Sequence, residues 1–165
     1  MILTIWRHGQ AANAAQDIDR ELTETGLDDI SFGCDQFHQQ CEMRRLALPE
    51  IILHSRWLRT AQTADIIGRQ FSQAVLESAE ALVPGSRIGD VSAMLDPLLE
   101  GGVEHAILVS HQPLVSALID HYLGDPGRVA ALVPGGFAML RLDIAMAGTA
   151  ELVFSAQPPE YRAQA

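Results

Sequence analysis

Short apolar runs alternate with helical patterns along almost the whole chain. Each apolar run is only a few residues long, as expected of a buried strand, and the stretches between several of these runs carry apolar residues at helical spacing. The predicted strands are Ile2–Trp6, Ile51–Leu53, Ala74–Leu76, His105–Val109, Phe137–Leu142 and Glu151–Ser155. Strands that alternate with helices are typical of a layered α/β sheet. We therefore predict an α/β fold, a three-layer α/β/α sandwich around a mostly parallel sheet.

Start and stop signals place the helices between these strands. Thr23 is suited to cap a long helical pattern, and Pro49 ends that pattern. Pro113 is suited to the first turn of a later helix, which the Gly-Asp-Pro-Gly sequence at 124–127 closes. Two further helices are predicted over Trp57–Phe71 and Ser86–Leu99.

Length and composition predict one folded domain. The chain has 165 residues, of which 48% are hydrophobic, enough for a full core. We assign residues 1–156 to this domain and expect the polar, proline-containing residues 157–165 to form a mobile tail.

No stretch approaches the roughly 18 apolar residues of a membrane span. Arg7 and His8 interrupt the first apolar run too early for a signal peptide. A cytoplasmic location without a membrane partner is therefore expected.

The chain is acidic, and all of its basic residues are arginine. The net charge is −10 at pH 7, and no lysine is present. Nucleic acid is not an expected partner, because nothing supplies a basic stripe for its phosphates. The absence of lysine excludes a Walker P-loop and Schiff-base chemistry. An anion bound by this chain would have to be held by Arg, His or backbone N–H groups.

Three of the predicted strands end in residues that suit phosphate chemistry. The first is followed by Arg7, His8 and Gly9, the second by Arg59 a few positions later, and the fourth by Ser110 and His111. Ligands of α/β sheets gather where the carboxyl ends of strands meet. Arginine matches phosphate oxygens with two hydrogen bonds, and an imidazole kept neutral by nearby positive charge is a usable nucleophile. Glycine permits close approach of the backbone to a ligand.

Each of these residues alone also has an ordinary structural explanation. An Arg-His-Gly tripeptide occurs by chance, a single histidine at a strand end is more often structural, and Arg59 alone on a helix is typical of a solvated charge. The joint pattern favours a function, because two arginines and two imidazoles at one site need an anion to offset their repulsion. No cofactor and no metal are expected, since no Cys, His and carboxylate spacing is typical of metal ligands.

Four segments resemble the histidine phosphatase superfamily, also called the phosphoglycerate mutase-like fold. They are WRHGQA at 6–11, DRELTETG at 19–26, LHSRWLRTAQTA at 53–64 and ILVSHQPLV at 107–115. The segments occur in the family order, span most of the chain, and are most similar to the short bacterial branch of SixA-type phosphohistidine phosphatases. The resemblance implies a phosphoglycerate mutase-like fold and a covalent phosphohistidine intermediate.

The resemblance also implies a role for each matching residue. His8 attacks phosphorus, Arg7 and Arg59 bind the phosphoryl oxygens, and His111 donates a further hydrogen bond that stabilises charge in the transition state. Arg20 matches an arginine of the short branch that reaches the phosphate, although a surface arginine in a loop is the alternative. Gly9 would shape the phosphate pocket through its backbone.

The chain departs from the family pattern where many members carry a glutamate general acid. The loosely matching segment is ESAEALVPGS at 77–86, in which Ala81 stands at the matching position and Glu80 beside it is the candidate acid. Without an acid, alkyl phosphates should be poor substrates, because an unprotonated alkoxide leaves badly. A phosphorylated imidazole needs less help, since its ring can carry a proton near neutral pH. A second departure is Arg56, which stands where proline often follows the matching Ser55.

The sequence therefore predicts a phosphohistidine phosphatase that acts on a phosphorylated protein, such as a histidine phosphotransfer domain. The connections between the motifs are short, which favours an open site and a macromolecular substrate. A phosphatase of a small phosphate monoester is the first alternative. The second is a non-catalytic phosphoprotein-binding module, against which the presence of both His8 and His111 argues.

Overall fold

The computed structural model describes residues 1–165, and its centre is one mixed β-sheet. The strands are β1 (Ile2–Arg7), β2 (Ile51–His54), β3 (Val75–Ser78), β4 (His105–Ser110), β5 (Phe137–Arg141) and β6 (Glu151–Ala156). They lie in the order β3-β2-β4-β1-β5-β6. Strands β1 to β4 are parallel to their neighbours among these four, whereas β5 pairs antiparallel with both β1 and β6.

The α/β class is as predicted, but the prediction of a mostly parallel sheet is wrong. Strands β5 and β6 are joined without an intervening helix. A parallel pair needs a crossover of a dozen or more residues, so a shorter connection makes an antiparallel pair. This explains the β5/β6 pair. Strand β5 is antiparallel to β1 because the segment before it returns to the carboxyl end of β1, where the N–H of Gly135 donates to the carbonyl oxygens of Arg7 and His8. The sheet is therefore mixed, with a parallel part that ends at β1.

Four α-helices lie between the strands. They are α1 (Glu24–Arg44), α2 (Leu58–Gln70), α3 (Ile88–Glu100) and α4 (Leu114–Leu123), and two short 3₁₀ helices cover Asp17–Asp19 and Glu80–Leu82. Thr23 caps α1 as expected, because its hydroxyl oxygen accepts a hydrogen bond from the backbone N–H of Gly26 at 3.0 Å. No helix combines the length and the apolar character that crossing a membrane would require.

Alternate residues of β1 pack on opposite faces of the sheet. Leu3 and Ile5 belong to a buried cluster with residues of α3 and α4. Ile2 and Trp6 belong to a second cluster with residues of α1 and α2. A strand with both faces buried reads as a continuous apolar run, which explains the N-terminal sequence.

The sheet register brings three strand ends to one edge. Arg7 of β1 lies opposite Ser110 of β4, and the backbone N–H of His8 donates to the carbonyl oxygen of Ser110 at 3.1 Å. The backbone N–H of Ser55, just after β2, donates to the carbonyl oxygen of Val109 at 3.1 Å. The side chains that follow β1, β2 and β4 are therefore neighbours.

One residue of the segment 157–165, which the sequence predicts to be a mobile tail, packs against the core. Tyr161 is 2% exposed, and its ring lies against Gly33 of α1. Ser155 and Gln164 form an isolated antiparallel bridge with two backbone hydrogen bonds. Most of this segment is polar, but its one aromatic residue, Tyr161, is large enough to anchor the segment when it is buried.

Tyr161 also connects the tail to the end of β1. Its hydroxyl donates to the carbonyl oxygen of Gly135 at 3.1 Å. The N–H of Gly135 in turn donates to the carbonyl oxygens of Arg7 and His8, at 3.2 and 3.0 Å. The tail thus supports the segment that holds Arg7 and His8.

Replacing Tyr161 with alanine should lower the free energy of unfolding by about 3–5 kcal/mol, because a buried aromatic side chain is lost. The matched variant Tyr161→Phe removes only the hydroxyl and should cost about 1 kcal/mol. Urea denaturation of both variants measures the difference. If alanine were no more costly than phenylalanine, the tail would not be packed as described.

Candidate active site

A cavity of about 310 Å³ opens at the edge where β1, β2 and β4 end. Five of the side chains predicted from the sequence line it, namely Arg7, His8, Arg20, Arg59 and His111. Gly9 lies directly behind His8, where its backbone N–H donates to the hydroxyl oxygen of Thr63 at 3.1 Å. Residues separated by a hundred positions in the chain therefore share one small cavity.

One ring nitrogen of His8 is hydrogen-bonded to the backbone, and the other is unprotonated and faces Arg59. Its Nδ1 lies 2.8 Å from the carbonyl oxygen of Gly9, which can only accept, so Nδ1 carries the proton. The Nε2 lone pair accepts a hydrogen bond from Nε of Arg59 at 3.1 Å. This arrangement defines a single tautomer of the neutral ring.

The surroundings of His8 keep its ring neutral. Burial lowers the pKa of His8 to about 4, the charges of Arg59 and Arg7 act in the same direction, and the hydrogen bond to Gly9 opposes them. Above about pH 5, the Nε2 lone pair is therefore not blocked by a proton. A neutral imidazole beside arginines can attack an electrophile that carries negative charge.

His111 faces the same cavity without a hydrogen-bond partner in the protein. Both of its ring nitrogens are buried and unpaired. Its ring centroid lies 5.2 Å from that of His8 and 5.2 Å from that of Trp57. Burial lowers the pKa of His111 to about 3, with further contributions from His8 and Arg59. An unpaired buried imidazole costs free energy, and a ligand that accepts from its N–H would recover it.

Arg59 lies in the first turn of helix α2, and its guanidinium group has contacts on several sides. Its residue is 4% exposed, and its Cζ lies 4.7 Å from the ring centre of Trp57. Its Nη1 donates to the backbone carbonyl oxygen of Asp17 at 2.7 Å. The solvated charge considered from the sequence does not describe this residue.

The other two arginines differ in how much of their guanidinium group is free. Nη1 of Arg7 donates to the carbonyl oxygen of Leu132 at 2.8 Å, while its buried Nε has no partner. Arg20 donates through Nε to the carbonyl oxygen of Ala12 at 2.8 Å and through Nη1 to Asp17 at 3.1 Å. Its side chain lines the cavity, which favours the binding role over that of a surface arginine.

Glu80, the predicted general acid, does not line the cavity. Its carboxylate pairs with Nε of Arg56 at 3.2 Å, and both side chains are mostly exposed. The segment 77–86 matches the family only loosely. Its Glu80 is paired with Arg56, the residue that stands where many family members have proline. The geometry therefore gives no support to Glu80 as a general acid.

Asp17 is the residue that sequence reasoning missed. It is the one carboxylate among the residues that line the cavity, and it contacts both Arg20 and Arg59. The local signal was its spacing of three from Arg20, which on a single turn of helix allows an ion pair. Its contact with Arg59, 42 positions away, is set only by the folded loop.

Comparisons with known proteins identify relatives of this chain. No family model matches the chain. Phosphohistidine phosphatase SixA of Escherichia coli (strain K12) is 34% identical over 122 residues, which cover 72% of this chain and 72% of that protein. Phosphoglycerate mutase 3 of Saccharomyces cerevisiae is 36% identical over 70 residues, which cover 39% of this chain and 23% of that protein.

Solved structures give the same relationship over nearly the full length. The protein histidine phosphatase SixA complexed with tungstate has a TM-score of 0.80 and 29% identity, covering 96% of this chain and 97% of that one. A mycobacterial glucosyl-3-phosphoglycerate phosphatase has a TM-score of 0.68 at 17% identity, covering 92% and 96%, and shares the fold. Extent and identity together show that this chain belongs to the histidine phosphatase superfamily, in its SixA-type branch.

Proposed function

We propose that this protein hydrolyses the phosphoryl group of phosphohistidine on a protein, through a covalent intermediate on His8. The observation that carries the proposal is the unprotonated Nε2 of His8, held 3.1 Å from Nε of Arg59 in a cavity that also contains Arg7 and His111. The similarity to enzymes named phosphohistidine phosphatase supports the substrate class.

In the first step, Nε2 of His8 attacks phosphorus. The bond between phosphorus and the substrate nitrogen breaks, and its electron pair stays on the leaving imidazole. The Arg59 hydrogen bond to Nε2 has to pass to a phosphoryl oxygen as the new bond forms. Arg7, Arg20 and the unpaired N–H of His111 can donate to the remaining oxygens, so the charge that develops on them is stabilised.

In the second step, water attacks the phosphoryl group on His8. The bond between phosphorus and Nε2 breaks, inorganic phosphate forms, and the lone pair returns to Nε2. Because burial keeps the pKa of His8 near 4, the free ring is ready for another turnover at neutral pH. The proposed roles need no metal and no cofactor.

The absence of an available glutamate favours a nitrogen leaving group. Glu80 is paired with Arg56 outside the cavity, and the lining contains a single carboxylate, Asp17, which is bound by two arginines. An alkoxide would therefore leave unprotonated, whereas an imidazole can leave with its second nitrogen protonated. A histidine phosphotransfer domain is the partner that we propose, and a small phosphate ester is the competing substrate class.

The remaining sequence predictions stay predictions. A cytoplasmic location and a single domain over residues 1–156 belong to this group. The three-layer arrangement does as well, and the two buried clusters on opposite faces of the sheet support it.

His8→Ala should abolish turnover while leaving the fold intact, because only the nucleophile is lost. Brief reaction of the unmodified protein with labelled substrate should give an acid-labile, base-stable phosphoenzyme. His54→Ala is the matched control, since Nδ1 of His54 also lies 2.8 Å from the next carbonyl oxygen at a strand end. The control should retain label and turnover. Label found on a serine or an aspartate would contradict the assignment.

Arg59→Ala should reduce kcat/KM far more than Arg56→Ala. Arg59 is buried at the proposed phosphoryl site, where a charged contact contributes roughly 2–4 kcal/mol to transition-state stabilisation. Arg56 is paired with Glu80 at the surface, where ion pairs contribute little. Steady-state kinetics on one substrate compares them, with thermal denaturation as a check on folding. Equal losses would mean that Arg59 does not contact the phosphoryl group.

The substrate class is tested by direct competition. A phosphorylated histidine phosphotransfer domain and a panel of phosphate monoesters are offered at equal concentration, and release of phosphate from each is followed. We expect a higher kcat/KM for the phosphorylated domain than for any ester. Efficient turnover of one ester with the phosphorylated domain left intact would establish the small-molecule alternative.

A further inference from the structure

Asp17 is bound by two of the three arginines that the proposed function assigns to phosphate. Its Oδ1 accepts a hydrogen bond from Nη1 of Arg20 at 3.1 Å. Its Oδ2 accepts from Nη2 of Arg59 at 3.3 Å, and its backbone carbonyl oxygen accepts from Nη1 of the same arginine at 2.7 Å. The carboxylate therefore presents oxygens to both guanidinium groups much as a phosphoryl group would.

The carboxylate is ionised at neutral pH. Its slight burial acts to raise the pKa of Asp17, but the hydrogen bond from Arg20 and the charge of Arg59 outweigh this and hold that pKa below its usual range. A phosphoryl group entering the cavity carries negative charge as well. The two anions repel each other and compete for the same donors.

The two partners of this contact differ in freedom of movement. The Arg59 side chain is 5% exposed, whereas that of Asp17 is 56% exposed. Residues 12–17 are all exposed, and the short 3₁₀ helix Asp17–Asp19 contains no buried residue. Asp17 can consequently leave its position without unpacking the core, while Arg59 cannot.

We propose that Asp17 is an internal competitor of phosphate. It holds Arg20 and Arg59 in place in the free protein and yields them to the phosphoryl group. The site therefore binds free anions more weakly than its arginines alone would allow, which favours release of inorganic phosphate after each turnover. This inference rests on the proposed function, since it assigns Arg20 and Arg59 to the phosphoryl group.

The test compares Asp17→Asn with Asp19→Asn. Asp19 lies on the same 3₁₀ helix and its replacement removes the same charge, but its side chain has no ion pair with an arginine. Inorganic phosphate and vanadate are titrated into each protein by isothermal calorimetry. Asp17→Asn should bind both anions roughly threefold to tenfold more tightly than the unmodified protein, the size expected for a partly exposed charge. Asp19→Asn should change little.

Thermal denaturation separates competition from a purely structural role. Competition predicts that Asp17→Asn has a slightly lower Tm alone but a larger rise in Tm with phosphate, because tighter binding stabilises the folded state more. Asp17→Ala, which removes every side-chain acceptor, should show the same larger rise. A smaller rise, or weaker binding of phosphate in these variants, would overturn the inference and leave Asp17 as a support for the arginines.

The outcome is independent of the substrate test. If the unmodified protein binds phosphate but fails to hydrolyse phosphohistidine, the proposed function fails, whatever Asp17 does. If it hydrolyses phosphohistidine and Asp17→Asn binds phosphate no more tightly than Asp19→Asn does, only the inference about Asp17 fails.

Discussion

The pairing of β1 with β4 on one side and β5 on the other is the constraint on which the site depends. Every residue of β1 has a partner in β4, and its two faces are buried in different clusters. A strand fixed in this way cannot slip by one residue without moving Leu3 and Trp6 to the wrong faces. The position of His8 relative to His111 is consequently set by the core of the protein, before any contact inside the cavity is considered.

Burial gives the cavity its chemistry as well as its shape. Two imidazoles that would be partly protonated near pH 6 in water are held neutral, since burial lowers the pKa of His8 to about 4 and that of His111 to about 3. Positive charge at the site is therefore carried by arginine alone. The arginines are stabilised by main-chain carbonyl oxygens, those of Leu132 and Asp17 among them, and by a single carboxylate. Such a site is neutral at its nucleophile and cationic around it.

The sequence predicts much of the fold and of the site, and where the prediction fails the reason is physical. Strand and helix positions follow from local periodicity, and the cavity residues follow from the motifs. The direction of β6 depends on the length of its connection to β5, and that of β5 on the return of residues 124–136 to the carboxyl end of β1; the pattern of strands alone expresses neither. Asp17 and Glu80 show the same limit for side chains. Each is paired with an arginine distant in sequence, Arg59 and Arg56 respectively, and such contacts are decided only when loops fold together.

The contact from Tyr161 through Gly135 to the end of β1 has a consequence for the order of synthesis. β1 is synthesised well before the residues around Tyr161. The segment that holds Arg7 and His8 therefore gains this support only after Tyr161 has left the ribosome. A nascent chain can already contain its nucleophile and all three arginines of the cavity, yet the contact that supports the end of β1 cannot form until Tyr161 has been added.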